Sequence, residues 1–141
     1  MKYIPNTEIE IRFIAALKAF KLETGLSGLE YVISSTYRPG EQSEHGKPGG
    51  AMDVYFMIHS ESGRKEFAPL SVYIDLFAFL LDNWEGYAGL DAFNDQIHIH
   101  LDMRPDNVFF LEDKGYAFAV ANNRAALLLE VADYQKKSAG V

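Results

Sequence analysis

Apolar residues recur at Ile9, Phe13, Ile14, Leu17 and Phe20, a three-and-four spacing that lines one face of a helix. The spacing predicts a helix from Asn6 or Thr7 to Glu23. Thr7 and Glu10 match a capping box, with Asn6 as a competing cap, and Gly25 suits the stop. The period then changes. LEYVISS (29–35) is β-branched and aromatic and predicts a strand. RPGEQSEHGKPGG (38–50) holds two prolines and four glycines and predicts a loop. AMDVYFMI (51–58) follows as a strand, and HSESGRKEF as a polar turn. PLSVYIDLFAFLLDNW (69–84) predicts a largely buried helix with Pro69 near its first turn. EGYAGLDAFND is a connector with room for a short strand, and QIHIHLDM is a strand. VFFLEDKGYAFAV predicts a hairpin turning at Glu112 to Gly115. NNRAALLLEVADYQKK closes as an amphipathic helix capped by Asn122 or Asn123. Helix, strand, strand, helix, strands, helix is an α+β order, with a mainly antiparallel sheet and helices on one face. No repeat, linker or low-complexity tract divides it, so residues 1–141 are expected to form a single domain.

Composition narrows the function. The chain has 141 residues, is 48% hydrophobic and carries a net charge of −7. That charge argues against free nucleic acid or an anionic membrane as the main partner, since either asks for a basic face. There is no cysteine, which excludes a disulfide framework, a thiolate metal site and a cysteine nucleophile. Any metal must be held by His, Asp or Glu. MKYIPNTEIEIRF has no apolar run and reads as no signal peptide. No apolar run approaches a membrane span. The expectation is synthesis in the cytoplasm.

Three places carry candidate chemistry: His45 in the Gly/Pro loop, Asp53 inside a strand, and the pair His98 and His100. Alternation sends His98 and His100 to one face of their strand. It also sends Asp53 and Tyr55 away from Met52 and Val54. A carboxylate inside a strand is costly to bury unless it is paired or on a metal. A loop imidazole, a strand carboxylate and an imidazole from a second strand can converge on a tetrahedral zinc. The fourth position then stays open for water, as in catalytic sites. Each residue also has a plain structural reading. An interior Asp is commonly a hydrogen-bonded structural residue, and a lone loop His is commonly a solvated side chain.

The same residues form a longer pattern. Ser35-Thr36-Tyr37-Arg38 ends a strand, Ser43-Glu44-His45 follows in the loop, and Gly50-Ala51-Met52-Asp53 opens the next strand. His98-Ile99-His100-Leu101-Asp102 comes later. In this order the chain resembles the zinc D,D-peptidase / L-alanyl-D-glutamate endopeptidase family, the group with the Hedgehog/DD-peptidase fold. The resemblance spans roughly residues 10–104. It implies zinc as cofactor, with His45, Asp53 and His100 as ligands. It implies that Arg38 stabilises the oxyanion, a role suited to a fixed charge with a fork of donors. Ser43 and Tyr37 would join Arg38 in binding substrate. His98 would flank the metal as an acid/base helper, with Asp95 as general base. Seven residues, GKPGGAM, separate His45 from Asp53 where the group usually has six. The position that usually holds a carboxylate before the last ligand has candidates in Asp91, Asn94 and Asp95, of which Asn94 carries an amide. Asp95-Gln96-Ile97-His98 is a second register, in which His98 would be the ligand; the His100 register is the favoured one.

The activity so implied is hydrolysis of amide bonds in bacterial peptidoglycan stem peptides by a zinc-activated water, of D,D-carboxypeptidase or L-Ala-D-Glu endopeptidase type. An enzyme of this kind would reach the wall after lysis or from a virion. Two alternatives stand beside it: a metal-binding family member without turnover, serving in structure or binding, and a metal-free interaction domain. Elsewhere, His59 reads as exposed, Trp84 and Tyr87 as core at the end of the buried helix, and Asp102 with Arg104 as an ion pair or a support for the metal. GKPGG lacks the spacing of a phosphate loop.

Overall fold

A computed structural model of the chain describes residues 7–35, 42, 44–47, 50–92, 96–113 and 116–139, with the side chains of Ser35, His45, Ser138 and Ala139 outside it. The first helix, α1, runs Glu8–Thr24. Thr7 caps it by accepting from the Glu10 amide at 3.4 Å, and Gly25 ends it in the left-handed region at φ 75°. Its buried stripe is Ile9, Phe13, Ala16, Leu17 and Phe20. Ile14, expected on that stripe, is 42% exposed, because it sits one step round the helix and Ala16 takes the inner position.

Strand β1 (Leu29–Ser35) pairs antiparallel with β2 (Ala51–His59), and a 3-10 turn, Glu44–Gly46, precedes β2. The polar segment after β2 is more than a turn: β3 (Lys65–Phe67) folds back on it. Helix α2 spans Leu70–Asn83 with Pro69 at its N-cap, and it buries Val72, Tyr73, Leu76, Phe77 and Leu80. The connector after it holds a full strand, β4 (Tyr87–Asp91). Strands β5 (His98–Asp102), β6 (Val108–Asp113) and β7 (Tyr116–Val120) follow, and α3 (Arg124–Ala139) closes the chain. Asn123 caps α3 by accepting from the Ala126 amide at 2.8 Å.

The seven strands form one sheet in the order β1-β2-β5-β4-β6-β7, with β3 beside β2. All ladders are antiparallel except β4 with β6. The architecture is therefore α+β with a mostly antiparallel sheet. Alternation then separates two faces. Met52, Val54, Phe56, Ala88, Leu90, Ile99, Leu101, Phe109 and Leu111 join the buried stripes of the helices in one core. Each Leu or Phe buried there contributes about 1.5–3 kcal/mol. The intervening residues of β2, β5, β4 and β6 carry the polar chemistry. Among the described residues, no helix is long and apolar enough to cross a membrane.

One joint in this core is polar. β5 pairs with residues 51–54 of β2 and β3 with residues 57–59, which leaves Phe56 between them. Its amide donates to the Tyr73 hydroxyl at 2.8 Å, and its carbonyl accepts from Ala68 N at 3.0 Å. Burial pushes the Tyr73 hydroxyl up to about 12, so it stays protonated at any ordinary pH. Tyr73→Phe would strand a buried amide, at a cost of about 1–3 kcal/mol. Urea unfolding should show a lower midpoint at unchanged slope. An unaltered midpoint would mean that water or a shifted backbone replaces the hydroxyl.

Candidate metal centre

Strand registry arranges the polar face in rows. Ala51, Asp102, Tyr87 and Val108 lie side by side on β2, β5, β4 and β6. The next row is Asp53, His100, Gly89 and Phe110, and the third is His98, Asp91 and Glu112 on β5, β4 and β6.

The middle row brings together two of the three ligands expected from the sequence. His100 Nδ1 lies 3.1 Å from Asp53 Oδ1, and His100 Nε2 lies 2.9 Å from Asp102 Oδ2. Arg104 fixes Asp102 from behind: Nη2 donates to Oδ2 at 2.7 Å, Nε to Oδ1 at 3.0 Å, and its own amide to Oδ1 at 3.1 Å. The Arg104 guanidinium in turn lies over the Tyr87 ring, 3.7 Å from its centroid, a favourable cation–π placement. Tyr87 was expected in the core beside Trp84. Trp84 is buried, but Tyr87 opens β4 and stands half-buried on the polar face. The Phe110 ring walls the other side, with its centroid 6.1 Å from His100 and 6.5 Å from Tyr87. Gly89 makes room for it, since a Cβ there would run into the Phe110 ring.

Asp102 is fully buried. Burial alone would push its carboxyl up, but hydrogen bonds from His100 and Arg104 hold it down at about 2. It is therefore an acceptor at any working pH, and the proton on His100 Nε2 points at it. Nδ1 is the nitrogen left to face Asp53. A carboxylate behind an imidazole, fixing its tautomer, is the usual support for a metal-bound histidine. Two atoms about 2.05 Å from a tetrahedral zinc stand about 3.3 Å apart, close to the observed Asp53–His100 spacing of 3.1 Å. The spacing would let the two atoms hold one ion once Nδ1 has lost its proton.

In the metal-free protein His100 is a cation. Burial opposes this, but the hydrogen bonds to Asp102 and Asp53 outweigh it and raise His100 to about 9. The folded value exceeds the unfolded one. The stability so gained is complete below the ordinary histidine range and is lost as pH rises through about 9. Thermal unfolding of the chelated protein should therefore show a midpoint that falls between about pH 7 and about pH 10, and His100→Gln should flatten that fall. Equal slopes for the two proteins would contradict the assignment. A metal ion held at Nδ1 would have to displace its proton, so binding there would weaken towards acid pH.

The backbone of His45 belongs to the 3-10 turn Glu44–Gly46, which lies beside β2. Gly50 lets the two approach, because a Cβ at Gly50 would run into the Glu44 carbonyl. Glu44 also acts electrostatically on Arg104. The turn that carries His45 thus sits beside the start of β2, while the His45 side chain is outside the described atoms. Tyr37, Arg38, Ser43 and Asp95 are outside the described residues as well.

His98 shares the face but not the row. One ligand atom each of Asp91, His98 and Glu112 lie within 4.8 Å of one another. Burial pushes the Glu112 carboxyl up, and Asp91 and Asp53 add to the rise against the pull of His100 and His98. Glu112, expected in the hairpin turn, instead lies within β6, which runs to Asp113. Alternation in HIHLD points to His98, His100 and Asp102 on one face. Nothing local in the sequence pairs Glu112 with Asp91, because that contact depends on the parallel ladder between β4 and β6. His59 is exposed, as expected, and its Nε2 lies 3.2 Å from Glu30 Oε1.

Comparison with models of protein families, with curated proteins and with solved structures finds no match to this chain.

Proposed function

We propose that this chain is a zinc-dependent peptidase of the D,D-peptidase / L-alanyl-D-glutamate endopeptidase kind, with the Hedgehog/DD-peptidase fold. Its substrates would be amide bonds in peptidoglycan stem peptides, of D,D-carboxypeptidase or L-Ala-D-Glu endopeptidase type. The observation that carries the reading is the Asp53–His100 contact with Asp102 on the far ring nitrogen. Asp102 holds the ring from the far side, which leaves His100 Nδ1 and Asp53 Oδ1 side by side as donors. The mostly antiparallel sheet with helices on the opposite face also suits the reading.

His45, Asp53 and His100 would hold the zinc. Bound there, zinc supplies Lewis acidity that activates water and polarises an amide carbonyl. Asp102 and Arg104 keep the His100 ring turned with Nδ1 outward. Phe110 and Tyr87 give the site an apolar wall that excludes solvent. Arg38 would pair with the developing oxyanion, Tyr37 and Ser43 would position the peptide, and Asp95 would take the proton from water with His98 as helper. The enzyme would act on the wall after lysis or from a virion.

A second reading, a metal-holding member without turnover, draws on His98. It shares its row with Asp91 and Glu112 rather than with Asp53 and His100. Clearing of permeabilised bacterial cells, with mass spectrometry of released muropeptides, tests the proposal. Product formation that chelation abolishes and zinc restores supports the peptidase. Zinc-loaded protein that releases no muropeptide supports the second reading.

A further inference from the structure

We propose that Asp91, His98 and Glu112 form a second divalent-cation site, separate from the Asp53–His100 centre; it does not depend on the peptidase reading, and when filled it would take His98 out of the helper role and leave the proton to Asp95. Three adjacent strands each supply one ligand: Asp91 pairs across β4 and β5 with His98, and across β4 and β6 with Glu112. Their ligand atoms converge to within 4.8 Å. Asp91 is fully buried, and Glu112 and His98 are half-buried.

Two carboxylates, one of them fully buried, converge with one imidazole, and a set of two oxygens and one ring nitrogen brought together from three strands is a donor set for a divalent cation. The donor set selects among ions. Magnesium and calcium prefer oxygen donors throughout, whereas one imidazole with two carboxylates suits zinc or manganese. The site lies one row along the sheet from the first: His98 and His100 are two residues apart on β5, with about 6.6 Å between their Cα atoms. An ion at this place would tie β4, β5 and β6 together at their Asp91, His98 and Glu112 ends, so its primary effect is on the stability of the sheet.

Equilibrium dialysis of the purified chain against Zn2+, followed by elemental analysis, tests the inference. The wild type is expected to bind one equivalent more than Glu112→Gln, and His98→Gln should lose the same equivalent. In a His100→Ala background, added Zn2+ should still raise the unfolding midpoint, and Glu112→Gln should abolish that rise. Glu112→Gln keeps the side-chain shape, and the more accessible His98→Gln serves if it fails to fold. Wild-type zinc content in both variants, or loss of every equivalent with His100→Ala alone, overturns the second site. Loss with Glu112→Gln but none with His100→Ala upholds the second site and removes the zinc centre of the peptidase proposal instead.

Discussion

His100→Ala is expected to lower hydrolysis of a stem-peptide amide by about 10^3-fold or more. Zinc chemistry typically supplies several kcal/mol of transition-state stabilisation, and each 1.36 kcal/mol is about tenfold in rate. The substitution removes more than one donor atom. It leaves Asp53 without its 3.1 Å neighbour and Asp102 facing a void where Nε2 stood 2.9 Å away. Arg104 still satisfies both Asp102 oxygens, so the fold should survive. Asp102→Asn is the graded companion. It keeps the ligand but disturbs the tautomer, and a loss of about 10–100-fold in activity or zinc affinity is expected. Rates on a defined muropeptide, with zinc content measured on the same samples, decide the matter. Equal turnover by wild type and His100→Ala would end the peptidase reading, whatever the zinc content.

The largest stability effect is expected at a glycine beside the site. Gly86 has φ 133°, a region L-residues rarely enter, and a Cβ there would run into the backbone carbonyl of Asp102. Its amide donates to Asn107 Oδ1 at 3.0 Å, which anchors the loop from β5 round to β6. Gly86→Ala must strain this corner or push β5 away from the entry to β4. Backbone strain alone costs about 1–3 kcal/mol, and the clash adds to it. At about 3–4 °C per kcal/mol for a chain of this size, the unfolding midpoint should fall by about 10 °C. Gly25→Ala is the internal control. Its φ is 75° with open space around a Cβ, so about 1–2 kcal/mol is expected for the left-handed backbone alone. A Gly86→Ala midpoint no lower than that of Gly25→Ala would show that the corner relaxes freely.

The polar face of β2 and β5 was legible in the sequence. The alternation in HIHLD placed His98, His100 and Asp102 on one face, and the alternation in AMDV turned Asp53 away from Met52 and Val54. These are local consequences of a two-residue repeat. The β-branched runs and the helical spacings marked most elements; the short β3 was hidden in a polar turn, and β4 lay in the connector that had room for a short strand. β4 is short and contains Ala88 and Gly89, which do not advertise a strand.

What the sequence by itself determined is that β2 and β5 are strands, and the direction in which Asp53, His98, His100 and Asp102 leave them. Only the tertiary structure decided which of those strands are neighbours. It set Asp53 opposite His100 rather than His98, and it drew Asp91 and Glu112 around His98 through a parallel ladder between segments 21 residues apart. Side-chain direction follows from the chirality and pleat of a single strand. Registry is set by the packing of the whole buried face, where a slip of one residue would turn the core outwards.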